Sequence, residues 1–438
     1  MLNKCVEGGF FLKTITDLIK NVPVPKMVKI REVFDSTHIP EDKIVETVQK
    51  ELSREALGGQ IKPGMRIAIT CGSRGIHHYA LMARAIVDFV KSKGAEPYIV
   101  AAMGSHGGAT AEGQTQILAD YGITEENMGC PIKSSMETVQ VGLSGVRKQP
   151  VYVDKYASEA DGIILFNRIK PHTSFRGRYE SGLMKMMAIG LGKQHGAESI
   201  HHQSPGIMHE LVEEYGRTIL ENCPIMGGIA IIENAYDETY LIQGLTPDEI
   251  ITEEPKLRDL SYKTIAHLLF DKCDVLVVDK IGKNISGDGM DPNISGRFVQ
   301  PKYCSGGIEA EKVVILDLTD ETHGNAQGIG LAEVTTRRLF NKMKLEMTYP
   351  TGVTNTFLHL MKIPMIMDND REALQLALCC CPDAEDQNNM KMIRIPDTMH
   401  IEYIEISEGL LPLAKANPNI EILSEPYDLP FDEEGNLF

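Results

Sequence analysis

The chain has 438 residues, enough for two or three domains with cores of their own, and its 42% hydrophobic and 24% charged residues are those of a folded globular protein. A formal charge of −17 argues against nucleic acid and anionic membrane surfaces as partners, save where a local basic cluster serves a small anion. No apolar run approaches the roughly 20 residues that span a bilayer, the N-terminus lacks the layout of a signal peptide, and the nine cysteines, with Cys379, Cys380 and Cys381 consecutive, form no CxxC pair. The expectation is a cytoplasmic protein without disulfides or structural zinc.

Strand-like and helix-like segments alternate along the chain, which predicts an α/β fold of mainly parallel sheets. Met65–Cys71 reads as a buried strand and Tyr79–Lys93 as a helix stopped by Gly94; Pro97–Met103 is the next strand and Ala111–Asp120 the next helix, stopped by Gly122. The strand signature recurs at Gly162–Asn167, Gly228–Glu233, Asp274–Asp279 and Val313–Asp317. A long polar helical stretch from about Thr246 to Phe270, interrupted by Pro255, reads as the connection between two domains, residues 1–268 and 269–438, with an interdomain crevice.

Polar and glycine-rich segments follow these strands: Cys71-Gly-Ser-Arg74, Gly104-Ser-His106-Gly-Gly108, Arg168 to His172, and Lys280 to Ser286. In parallel α/β sheets ligands bind at the carboxyl ends of strands, where glycines let the backbone approach and helix N-termini favour anions. Arg74, His106, His172 and Lys283 are therefore expected to face one crevice. The densest segment runs from Phe166 to His202 and places Arg168, Lys170, His172, Arg176, Lys185, His195, His201 and His202 among glycines. His106 and His172 lie just beyond apolar strands, where an imidazole titrating near neutrality can give and take protons. Lys185, between Gly182-Leu-Met and Met186-Met187, is a cation in an apolar stretch, either snorkelling or chemically engaged. His201 or His202 could ligate a metal, though on spacing alone a solvated helix end is the better reading.

Familiar fingerprints fail. Gly190-Leu-Gly-Lys-Gln-His-Gly196 misses the dinucleotide glycine spacing by one residue, and Lys193 is followed by Gln194 where a phosphate loop needs Ser or Thr. His209-Glu210 lacks a second histidine at zincin spacing, and Asp288–Asn293 lacks the carboxylate ladder of a calcium loop.

Taken in order, Gly-Ser-His-Gly-Gly-Ala-Thr (104–110), Lys-Pro-His-Thr (170–173), Ser-Gly-Leu-Met-Lys (181–185), Gly-Ala-Glu-Ser-Ile-His (196–201) and the segment Gly282–Asn293 resemble the nickel-pincer lactate racemase family. The resemblance implies a two-domain protein holding nickel in a pyridinium-3-thioamide-5-thiocarboxylic acid mononucleotide attached to Lys185, with Ser181 and Gly182 beside it. It implies His201 as the nickel ligand, with His202 the alternative by one register, His106 and His172 as alternating acid and base, and Arg74 and Lys283 as holders of the substrate anion. The implied chemistry inverts the hydroxyl-bearing carbon of a 2-hydroxy acid by hydride transfer to the pyridinium, which avoids a carbanion beside a carboxylate. The host would need the enzymes that make this cofactor.

Ser-Gly-Leu-Met-Lys departs from a glycine-rich approach to the lysine, and the 170–176 segment is more basic than lactate requires. A larger 2-hydroxy acid, such as a sugar acid or a dicarboxylate, is the expected substrate. Two alternatives stand beside this expectation: a metal-dependent hydrolase or lyase using the histidines around an ordinary divalent ion, and an anion-binding protein that has lost the cofactor.

Overall fold

The computed structural model describes residues 15–201 and 203–438, and the chain divides into two compact units, Asp35–Ile265 and the segment up to Phe34 together with Ala266–Phe438. The first strand, β1 (Met27–Glu32), pairs antiparallel with two strands near the far end of the chain, and its Val28 and Ile30 are buried in the core of that C-terminal unit. The expected boundary at 268 lies close to the observed crossing at Ile265, but the domain expected to run from residue 1 begins at Asp35 instead. A single short apolar strand carries no sign of how distant in sequence its partners are.

In the Asp35–Ile265 unit the strands are β2 (Arg66–Cys71), β3 (Glu96–Ala101), β4 (Ile132–Lys133), β5 (Thr138–Leu143), β6 (Pro150–Asp154), β7 (Gly162–Arg168), β8 (Ile225–Glu233) and β9 (Thr239–Leu245). Six of them form one sheet in the order β4-β3-β2-β7-β8-β9, parallel throughout except for the β8–β9 hairpin, while β5 and β6 make a separate antiparallel ribbon. Side chains alternate across the sheet as the strand period requires. Ile163 and Leu165 of β7 enter one apolar core, and Ile164 and Phe166 enter the other. Both faces are covered, as a parallel sheet needs: helices Glu41–Leu52 and Tyr79–Ser92 pack on the second core and Met208–Asn222 on the first.

The polar stretch after β9 forms two helices, Pro247–Thr252 and Glu254–Thr264. Pro255 starts the second helix rather than breaking one, because a proline in the first turn withholds an N–H that has no helical partner there. Both helices belong to the Asp35–Ile265 unit.

The other unit holds β10 (Lys272–Ile281), β11 (Glu309–Leu318), β12 (Val334–Thr336), β13 (Met365–Met367), β14 (Met392–Ile395), β15 (Tyr403–Ser407) and β16 (Ile420–Ile422), and its eight strands run β13-β12-β11-β10-β14-β15-β1-β16. The pairs from β13 through β14 are parallel, and the three from β14 to β16 are antiparallel. The two-unit, mainly parallel α/β class expected from the sequence is observed. Among the described residues no helix is long and apolar enough to cross a membrane.

Candidate active site

Because β2, β3, β7 and β8 run parallel, their carboxyl ends emerge at one edge of the sheet, and most of the residues singled out in the sequence follow them. After β2 come Gly72, Ser73 and the exposed Arg74; after β3 comes the loop to His106, also exposed. The Ser73 hydroxyl and His106 Nδ1 are hydrogen-bonded, and the Tyr121 hydroxyl reaches the Ser73 carbonyl at 3.3 Å. A serine on one strand end thus fixes an imidazole on the next. The glycine-rich loop carrying His106 runs directly into helix Ala111–Asp120, capped by the Thr110 hydroxyl accepting the Gly113 N–H.

The segment after β7 is a closed loop. Lys170 and Ser181 exchange backbone hydrogen bonds of 3.0 and 3.2 Å across its neck. Inside it the buried Glu180 carboxyl accepts the His172 N–H at 2.7 Å and the Tyr262 hydroxyl at 2.9 Å, with the Arg176 guanidinium 3.6 Å away. His172 stacks on Phe175 with ring centroids 4.2 Å apart, and its Nδ1 accepts the Ser174 N–H at 3.0 Å. That bond assigns the proton of the neutral imidazole to Nε2.

Lys185 follows on a helix that opens at Leu183 and turns π-helical over Met186–Leu191, a geometry often met at functional sites. Two close approaches place this helix. At Gly190 a Cβ would come within 2.8 Å of the Ala102 carbonyl beyond β3, and at Gly182 it would come within 2.2 Å of the Glu254 carboxylate. Glu254 caps the helix by accepting the Met184 N–H at 3.1 Å. The Lys185 ammonium lies 5.9 Å from the centroid of Phe175, the ring on which His172 stacks. Burial, and then the neighbouring charges of Lys170 and Arg74, push its pKa down to about 7, against the pull of Glu180.

The structure therefore gathers Arg74, His106, Lys170, His172 and Lys185 at one sheet edge of the Asp35–Ile265 unit, with Ser181 and Gly182 in the neck that leads to Lys185. Lys283 lies in the other unit, in the loop after β10, where its N–H meets the Thr322 hydroxyl at 3.4 Å. His201 ends helix Lys193–His201, but its side chain, like the whole of His202, lies outside the described residues. His195 is exposed and stacks on Tyr152 at 4.0 Å. Among the described residues no group of three or more His, Cys, Asp or Glu is arranged to hold a metal ion.

Arginines in and beside the dense basic segment are engaged within the chain. Arg168 pairs with Glu233, Arg176 donates to the His172 carbonyl and lies over the Tyr262 ring, and Arg178 reaches the Ile251 carbonyl at 3.0 Å. Ser73, Glu180, Glu254 and Tyr262 escaped the sequence reading. A lone serine and isolated acids among many carry no pattern, and the helix supplying Glu254 and Tyr262 reads from its composition as a linker.

These features define a parallel α/β unit with an anion-seeking, histidine-bearing site at the carboxyl edge of its sheet. Residues 19–210 match the family model described as the lactate racemase N-terminal domain, and that span contains Arg74, His106, His172, Lys185 and His201. The structure of the lactate racemase apoprotein from Thermoanaerobacterium thermosaccharolyticum is similar in fold, with a TM-score of 0.50 and 13% sequence identity, over 85% of this chain and 99% of that one. Among curated proteins none matches. The resemblance to lactate racemase seen in the sequence motifs is borne out by the family model and by the fold.

Glu254 gives the site a pH signature. Burial pushes its carboxyl from the ordinary 4.5 up to about 8, so between these values the folded chain holds a proton that the unfolded chain has lost. Its contribution is fully present below pH 4.5 and is lost as pH rises through 8. Glu254→Gln keeps an acceptor for the Met184 N–H and removes the titration. In urea unfolding the stability of the wild type relative to this variant should fall steadily across that window; a constant difference would refute the assignment.

Proposed function

We propose that the protein is a racemase or epimerase of a 2-hydroxy acid, of the nickel-pincer kind, with Lys185 as the point of cofactor attachment. The observation that carries the reading is the placement of Lys185, half-buried and 5.9 Å from the centroid of the Phe175 ring on which His172 stacks, where burial and the charges of Lys170 and Arg74 push its pKa down to about 7. Attachment through a thioacyl carbon needs an uncharged amine, and the lowered pKa brings that form within reach near neutral pH. The residues present thus fit the nucleotide's anchor, while Arg74 and Lys170 supply the positive field that its phosphate or a carboxylate substrate would neutralise.

The group, when bound, supplies a hydride acceptor and donor that no side chain offers. The chain's own residues do the rest. The Arg74 guanidinium, exposed at the mouth, can take a carboxylate through two parallel N–H bonds and so fix the face presented. His172 holds a proton at Nε2 and His106 is oriented through Nδ1 by Ser73, so each can give or accept the substrate hydroxyl proton. His201 is the proposed nickel ligand, with His202 the alternative, and Lys283 the proposed second holder of the substrate anion. The reading of an acid larger than lactate rests on the positive charge that Arg74 and Lys170 bring to the neighbourhood of Lys185. A hydrolase or lyase built around an ordinary divalent ion finds no protein ligand cluster among the described residues.

In the isolated chain, labelling of Lys185 by an amine-acylating reagent should rise with a midpoint near pH 7 while surface lysines lag toward pH 10. Peptide mapping of protein from nickel-supplied, cofactor-producing cells should then show a covalent adduct at Lys185; an active preparation with that lysine unmodified would overturn the reading.

His106→Ala and His172→Ala should each lower turnover by about 10²–10⁴-fold without loss of fold. Near-normal turnover in either would return that imidazole to a structural role.

A panel of lactate, malate, aromatic 2-hydroxy acids and aldonic acids, assayed for inversion by chiral chromatography, tests substrate size. Activity on lactate alone would remove the larger-acid reading, and Arg74→Lys should raise KM or lower turnover on whichever acid is used, because lysine cannot form the bidentate bond.

A further inference from the structure

Lys193 lies about two turns beyond Lys185 and meets a different set of partners. Its side chain has no solvent exposure, and its backbone is left-handed with φ of 55°. A lysine that is both fully buried and held in a strained conformation requires a compensating role. Its ammonium donates to the Ala101 carbonyl at the end of β3 and to Gln114 Oε1 at 2.7 Å, with the buried Asp154 carboxylate 3.4 Å away. Burial pushes Lys193 down and Asp154 up, each opposed by the other's charge.

Gln114, itself fully buried on helix Ala111–Asp120, has its oxygen engaged by Lys193, so only its amide N–H groups are left for the opposite side. They reach the carbonyls of Gly104 at 2.9 Å and His106 at 3.2 Å. Gly104 in turn donates to the Gly190 carbonyl at 3.1 Å, on the helix that carries Lys185. A chain of buried bonds thus runs from the start of helix Lys193–His201, through one amide, to the backbone on either side of Ser105.

We propose that Lys193, acting through Gln114 and balanced by Asp154, is a positioning residue that fixes the His106 loop against the helix bearing Lys185. The catalytic part of this inference rests on the role given to His106 above. The glycine-lysine pair that fails as a phosphate loop serves here as an internal strut.

The test is Gln114→Glu. A carboxylate still accepts from Lys193 but cannot donate to the carbonyls of Gly104 and His106. Backbone hydrogen exchange of residues 104–110, read in the isolated chain, should quicken at least about ten-fold while β7 keeps its protection. In enzyme from cofactor-producing cells kcat should fall by about 10–100-fold with KM within about three-fold, and the Lys185 adduct should be retained in full. Should this variant fail to fold, Lys193→Met combined with Asp154→Asn removes both buried charges and frees the Gln114 amide, and the same readouts apply. Unchanged exchange at 104–110, or exchange quickened equally in β7, would overturn the proposal. An inactive, unmodified wild type would sink the reading of function instead, and the exchange data would still decide the strut.

Discussion

The site depends on one buried carboxyl. Glu180 sits inside the loop closed by Lys170 and Ser181, accepts the backbone of His172 and the hydroxyl of Tyr262, and lies against the Arg176 guanidinium. A carboxyl with about 1% of its side chain exposed is tolerated only when hydrogen bonds replace the water it has lost. The same bonds give the loop its shape. A ten-residue excursion rich in charge would otherwise sample many conformations, and ordering it costs roughly 1–2 kcal/mol per residue. The helix Glu254–Thr264 contributes to both halves of this scaffold, Tyr262 to the loop and Glu254 to the helix of Lys185.

Around that scaffold the chain accepts electrostatic strain. Arg74, Lys170 and Lys185 are near enough to one another for the first two to lower the proton affinity of the third, although the chain as a whole carries a charge of −17. Like charges held this close repel one another, so the arrangement weakens the fold locally, and a negative group placed among them would relieve that cost. Arg168, paired with Glu233, and Arg176, beside Glu180, shape the walls.

Much of this was legible in the sequence, and the limits have physical causes. Strand period and glycine stops located β2, β3 and β7 and the helices Tyr79–Ser92 and Ala111–Asp120 to within a residue or two, because both faces of the sheet are buried and the apolar pattern is uninterrupted. The rule that ligands meet strand carboxyl ends then placed Arg74, His106 and His172 at one edge. It could not tell that Arg176 is engaged by Glu180, since the sequence shows only a basic residue in a polar loop. Nor could it see that β1 joins the C-terminal sheet, or that Lys193 is internal, because pairing partners and burial are decided by contacts across long sequence distances.

The π-helical passage Met186–Leu191 has a consequence for how this chain can vary over evolutionary time. It accommodates surplus backbone in a helix whose two ends must aim different lysines at different targets. Swapping one side chain for another leaves that aim intact. Gaining or losing a single residue there rotates everything downstream by about 100°, which would carry Lys193 out of the core and swing the helix ending at His201 with it. The stretch should therefore drift in composition while its length stays frozen, so that indel polymorphism, more than amino-acid replacement, marks descendants that have abandoned this architecture.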